Sequence, residues 1–151
     1  MKWLELKIPP LLVALIFGFL IWVMQFQVEI DNTIVLYIVS IILFSIGSIV
    51  SILGVWEFRK QKTTVNPMSP QESNSLVMKG IYTFTRNPMY LGFLLWLFSL
   101  GVLLRNPISL IAIVLFVIYM NIFQIIPEEN ILEEKFGKEY LKYKENVRRW
   151  L

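Results

Sequence analysis

The sequence predicts an all-α integral membrane protein: four transmembrane helices with a tight C-terminal helical hairpin, closed by an amphipathic C-terminal helix at the membrane interface. Three observations carry that expectation. Hydrophobic residues make up 56% of the 151 residues and charged residues 17%, where soluble domains run at about 45–50% and about 25%. The excess is gathered into long runs, with a mean hydropathy of +0.63. Lys and Arg then fall on alternate sides of those runs, as the positive-inside rule requires.

The first run, residues 9–26, resembles the apolar region of a signal peptide. It is followed by Gln27-Val28-Glu29-Ile30 in place of a small-residue cleavage site, so it reads as a retained helix. The second, residues 33–56, contains Gly47 and Ser51, a small-xxx-small pair that suits helix packing. The third and fourth, residues 88–104 and 107–126, are joined by Arg105-Asn106-Pro107, which leaves room only for a tight antiparallel hairpin. None of the four carries a charge in its interior, and each approaches the roughly 20 residues that a bilayer demands. After Pro127, the residues Leu132, Phe136, Tyr140, Tyr143 and Val147 recur at spacings of three or four. They oppose a face of Glu133, Lys135, Lys138, Lys142 and Lys144, so one amphipathic helix is expected over residues 128–150. The chain reads as a single domain, 1–151.

Orientation follows from the cations. Lys2 and Lys7 precede the first run; Arg59, Lys60, Lys62, Lys79 and Arg86 lie between the second and third; Lys135, Lys138, Lys142, Lys144, Arg148 and Arg149 follow the fourth. The other two loops hold Arg105 alone, so a multi-pass protein of the cell membrane with cytoplasmic N- and C-termini is expected. The net charge of +3 is a topology signal: the basic residues flank spans and form no stacked aromatic groove, which excludes nucleic acid as a partner. With no cysteine and no histidine, disulfides, thiolate nucleophiles, imidazole bases and the usual zinc ligand sets are excluded. Chemistry then falls to carboxylates, arginine, tyrosine, backbone groups or a cofactor.

The cytoplasmic stretch 57–87 carries Asn66-Pro67, Ser69-Pro70 and Gly80, and loops this long are usually disordered or functional. It leads into Arg86-Asn87-Pro88-Met89-Tyr90-Leu91-Gly92. The tight hairpin puts the start of the third span level with the end of the fourth, so Arg86 and Tyr90 can approach Glu128. Local explanations exist: Asn87 suits an N-cap, Pro88 the first helical position, Arg86 can snorkel, and the two glutamates complement a helix N-terminus. Together, however, one Arg, two Glu and two Tyr beside a glycine-bearing loop can hold a charged ligand at a membrane boundary. Gly80 lets backbone approach it, and Tyr82 and Tyr90 can face a cation. No metal site is indicated, because calcium or magnesium wants more oxygen ligands than this pair provides.

At these residues the chain resembles the isoprenylcysteine carboxyl methyltransferase family, with its bacterial and archaeal members and the related phospholipid methyltransferases. The resemblance rests on Leu76-Val77, Gly80-Ile81-Tyr82, residues 86–92, Glu128-Glu129, Leu132, Phe136-Gly137, Glu139-Tyr140, Tyr143 and Val147, and covers roughly the C-terminal half. It implies a membrane enzyme that takes S-adenosyl-L-methionine from the cytosol and methylates a lipophilic small molecule or lipidated substrate held among membrane lipids. By position it implies that Asn74, Ser75, Leu76, Val77, Tyr82, Asn87, Pro88, Met89, Tyr90 and Glu128 contact the cofactor. Gln124 stands where the eukaryotic isoprenylcysteine enzymes carry a substrate-linked arginine, and Asn87 where the family commonly has histidine. Asparagine keeps a hydrogen bond but cannot titrate.

Methyl transfer suits a site without histidine, cysteine or metal, since it needs mainly a desolvated and well-placed nucleophile. In this reading Glu128 binds the cofactor, Arg86 orients substrate or clamps the motif, and Glu129 can accept the proton of an amine acceptor. The competing classes are a four-helix transporter or interaction protein without catalysis, and a nicotinamide-dependent membrane reductase. Charge within a span would favour the transporter, and binding of NADPH in place of S-adenosylmethionine would favour the reductase.

Overall fold

The computed structural model describes residues 4–24, 33–61, 68, 70–73 and 75–151, and among them every regular element is helical. In chain order these are α1 (Pro10–Val23), α2 (Thr33–Lys60), 3₁₀ turns at Pro70–Glu72 and Gly80–Thr83, α3 (Pro88–Leu103), α4 (Ser109–Tyr119), a π-helical segment (Met120–Ile125), α5 (Ile126–Phe136) and α6 (Lys138–Asn146).

Among the described residues, two helices are long and apolar enough to cross a membrane: α2, and the unbroken Ser109–Phe136 run from α4 to α5. At about 1.5 Å per residue, α1 and α3 reach only about 21 and 24 Å, short of a roughly 30 Å hydrocarbon core. The first helix is therefore shorter than the expected 9–26. Asn106 of the α3–α4 hairpin closes it, donating its amide N–H groups to the carbonyls of Ile21 (3.1 Å) and Met24 (2.8 Å). Arg105 takes φ +52° at that hairpin. Ser109 packs so tightly on Gly101 that any Cβ there would collide with its hydroxyl.

The packing is inverted relative to a water-soluble bundle. On α2 the buried residues are Ser40, Gly47, Ser51 and Gly54, while Ile34, Ile41, Phe44, Ile49, Ile52 and Trp56 point outward. Small residues at the contact and large apolar ones facing out suit lipid surroundings, where close backbone approach drives association. The Gly47/Ser51 pair is thus spent within the chain, on α3: a side chain at Gly92 would overlap Ser51 and the Gly47 carbonyl. Ser51 also donates to the Met89 carbonyl at 3.3 Å. The larger core lies between α1, α3 and α4, around Val13, Ile21, Leu97, Ile113, Phe116 and Met120.

Three sequence expectations change here. The second helix continues past residue 56 to Lys60, with Arg59 and Lys60 favourably placed in its last turn, so Glu57 and Phe58 are helical and not loop. Pro127 does not end the fourth helix. Its missing N–H would have bonded the Phe123 carbonyl; that carbonyl accepts instead from the Leu6 N–H at 3.0 Å, and the π-helical turn absorbs the misfit. The single amphipathic helix expected over 128–150 is two helices broken at Gly137, whose combination of φ +52° with ψ −123° is natural only to glycine, and the helix ends at Asn146 as Val147 turns extended.

Candidate active site

The close α2–α3 crossing sets the start of α3 against the last turns of α2, and the π-helical turn aims the first residues of α5 at the same point. Between them, roofed by residues 70–73, residues 75–82 and α6, lies a partly enclosed cavity. Its lining is partly apolar, with Phe58, Leu76, Val77, Ile125 and Leu132, and partly polar, with Tyr82, Arg86, Tyr90, Glu128, Tyr140 and Tyr143.

The two adjacent carboxylates have different surroundings. Glu129, buried to 5% exposure, accepts from both arginines: Arg86 Nη2 at 3.1 Å, Arg149 Nη2 at 2.7 Å and Arg149 Nε at 3.1 Å. Both of its oxygens are engaged. Glu128 faces the cavity and accepts from the Tyr90 hydroxyl at 2.9 Å, with no cation in ion-pair contact among the described residues. Glu128 lies just beyond the apolar stretch that ends at Ile126. Burial chiefly pushes its carboxyl up from 4.5 to about 7; hydrogen bonds from Tyr90 and Gln124 pull it down, and the Glu129 charge raises it.

Several buried polar atoms around the cavity have no protein partner: Ser75 Oγ, Tyr82 Oη, and Arg86 Nε and Nη1. The Tyr82 phenol is held well above its ordinary range, mainly by burial and then by the Glu128 charge, so it stays a hydrogen-bond donor. An unbalanced carboxylate, unengaged guanidinium N–H groups, four tyrosines and apolar side chains give the cavity groups that can pair with both charges and the flat or apolar part of a zwitterionic ligand.

Of the residues singled out from sequence, Ser75, Leu76, Val77, Tyr82, Arg86, Asn87, Met89, Tyr90, Glu128 and Glu129 converge on this cavity. Arg86 meets Glu129 where an approach to Glu128 was expected. Three others stand behind the wall. Pro88 packs beside Gly54 of α2, Gly80 takes φ +62° with Glu57 pressed against it, and Gln124 is buried beneath Tyr90, its amide 3.4 Å from the phenol oxygen. Asn74 lies outside the described residues. Asn87 sits at the N-cap position of α3 but caps nothing; its amide donates to the Arg149 carbonyl at 2.9 Å. Sequence reasoning did not assign Phe58, Ser73, Tyr140, Tyr143 or Arg149 to the site. The spacing of the two tyrosines was the available signal.

The family model for phospholipid methyltransferase matches residues 35–139. The chain belongs to the phospholipid methyltransferase family. Within it, the chain is similar to protein-S-isoprenylcysteine O-methyltransferase A of Arabidopsis thaliana, 33% identical over 109 residues, 72% of this chain and 55% of that protein. It is similar also to the Dictyostelium discoideum protein-S-isoprenylcysteine O-methyltransferase, 30% identical over 140 residues, 92% of this chain and 59% of that one. The Saccharomyces cerevisiae protein of the same name is 40% identical over 77 residues, 51% of this chain and 32% of its own length. This member of the phospholipid methyltransferase family spans about half the length of the curated relatives it matches. No solved structure matches it. The family segment takes in the cavity-lining residues from Phe58 to Leu132, while α6 beyond Glu139 and the arginine that clamps Glu129 fall after it.

Proposed function

We propose that the chain is an S-adenosyl-L-methionine-dependent methyltransferase that acts on a lipophilic acceptor, a prenylcysteine-like carboxylate, thiol or lipid amine, at the cytoplasmic face of a cell membrane. One observation carries the reading: Glu128, held by Tyr90 and balanced by no cation among the described residues, faces a cavity that also presents the unengaged N–H groups of Arg86. The residues fit the cofactor. Glu128 suits its ammonium group, Arg86 and Ser75 its carboxylate, the tyrosine faces its sulfonium, and Leu76, Val77 and Leu132 an apolar wall for the adenine. When bound, that group supplies a methyl carbon on a cationic sulfur, which a nucleophile displaces while the sulfur keeps the bonding pair. What the protein contributes is position, exclusion of water and a balanced charge.

Glu129, with both oxygens engaged by arginines, is assigned to holding Arg86 in place of the proton-accepting role that its sequence position suggested. Gln124 is assigned to supporting Tyr90 and Glu128. Support for a lipophilic acceptor comes from a second, apolar groove between α2 and α3, walled by Ile52, Trp56, Phe93 and Trp96. Met89 belongs to both groove and cavity, so a chain in the groove would end beside the cofactor site. The family relatives named for isoprenylcysteine O-methylation agree with such a substrate. Four membrane-crossing helices with cytoplasmic termini complete the reading, α1 and α3 being the two short ones.

The test is calorimetric titration of detergent-purified protein with S-adenosylhomocysteine, repeated on Glu128→Gln. Micromolar binding that weakens by about 30-fold in the folded variant supports the assignment. Absence of binding to well-folded wild type would move the non-catalytic membrane protein to the front, and NADPH binding instead would favour the reductase.

A further inference from the structure

The stretch after α6 makes an unusual number of directed contacts with the motif that precedes α3. Val147 is extended, and the carbonyl of Arg148 accepts the Arg86 backbone N–H at 3.0 Å. The next carbonyl, of Arg149, accepts twice, from Thr85 Oγ1 at 3.2 Å and from the Asn87 amide at 2.9 Å. The Arg149 side chain then turns to fork onto Glu129, the same carboxylate that holds the Arg86 guanidinium. Trp150 donates its indole N–H to Asn121 in the π-helical turn at 3.2 Å, and its ring packs on the core.

We propose that residues 147–151 form a positioning strap for the cofactor site, with Arg149 and Trp150 as its two fixed points. The motif needs one. The Asn87 side chain does not cap α3, and Arg86 and Asn87 lie outside any regular element, so helix formation does not fix them. The strap refers Arg86 to one frame twice, through its backbone N–H to Arg148 and through its guanidinium to Glu129 and thence to Arg149. It also orients Asn87: with the amide nitrogen on the Arg149 carbonyl, the amide's remaining polar atom is its oxygen. The Trp150 peg ties this frame to the helical turn that carries Gln124 and leads into Glu128. Neither Arg149 nor Trp150 lines the cavity, so both act through Arg86, Asn87 and Glu129.

This rests on the methyltransferase reading, and one experiment separates the two. The full chain and the variants Arg149→Ala, Arg149→Lys, Trp150→Ala and Trp150→Phe are titrated with S-adenosylhomocysteine well below their unfolding midpoints, which are measured in parallel. Arg149→Ala and Trp150→Ala are expected to weaken binding by about tenfold or more, the scale of a lost charge-assisted or anchoring bond. Arg149→Lys restores the charge without the fork and recovers only part of the loss, and Trp150→Phe keeps the ring without its donor and does likewise. If an alanine variant does not fold, the conservative pair carries the test with about fivefold weakening. Binding indistinguishable from wild type in the folded variants, with only the midpoints lowered, overturns the strap and leaves a merely structural tail. No binding by the wild type overturns the methyltransferase reading itself.

Discussion

Glu128 and Glu129 are consecutive in the first turn of α5, about 100° apart around the helix, and they do opposite things. Glu129 is balanced from within by two guanidinium groups, one of them on a side chain only 9% exposed. Glu128 has a phenol and an amide for company and, among the described residues, no cation. The contrast separates a charge that holds the fold from one that the fold leaves to a ligand. It also predicts that swapping either glutamate disturbs a different observable.

The largest effect belongs to Glu129→Ala. It strands Arg86 in a buried place with its partner gone, at a cost of about 3 kcal/mol, while Arg149, a third exposed, is screened by water. Unfolding in detergent should show a large drop in midpoint; an unchanged midpoint would remove the structural role. Glu128→Gln should do the reverse. Its folding midpoint at pH 8 should hold or rise, because a buried uncompensated charge is gone, while S-adenosylhomocysteine binding weakens by about 30-fold, or about 2 kcal/mol. Equal loss of stability in both variants would erase the distinction.

How much of this could be read from sequence depends on whether the cause is local. The apolar runs that became α1, α2, α3 and α4 are local, and so was the convergence of residues 86–90 with the glutamates, once the Arg105-Asn106-Pro107 hairpin was recognised. Pro127 misled about the helix because its compensation comes from the Leu6 N–H, far away in the chain. The periodicity of Phe136, Tyr140 and Tyr143 runs on unbroken across Gly137, so the hinge that turns both tyrosines to the cavity left no mark in the pattern. Arg149 looked like one more cytoplasmic cation, since a topology signal and an ion-pair partner are the same residue type. Asn87 looked like a helix cap, and only the distant Arg149 carbonyl shows otherwise.

The pH dependence sharpens the contrast between the glutamates. A carboxyl lifted from 4.5 to about 7 in the folded state contributes stability that is fully present below its unfolded value and is lost as pH rises through 7. The ligand-free protein should therefore weaken between about pH 5 and 8, and Glu128→Gln should flatten that slope. A cation that binds the ionised form must first displace the proton. S-adenosylhomocysteine affinity should then climb by up to about tenfold per pH unit below 7 and level off above it, with proton release visible as a buffer-dependent heat. A flat profile from pH 5 to 8 would mean that Glu128 is already ionised without ligand.

The smallest effect is the most specific. Tyr90→Phe removes one hydroxyl, the donor that draws Glu128 downward against its burial. Without it the midpoint of the affinity profile should move above 7 by about half a unit to one unit. At pH 8 the loss in affinity should be only about fivefold, since burial and the surrounding aromatic faces remain. A shifted midpoint with nearly constant high-pH affinity is a signature that cavity damage does not produce, because a reshaped cavity lowers affinity at every pH alike. An unmoved midpoint would show that the phenol does not tune the carboxylate, leaving burial and the missing cation to distinguish Glu128 from its neighbour.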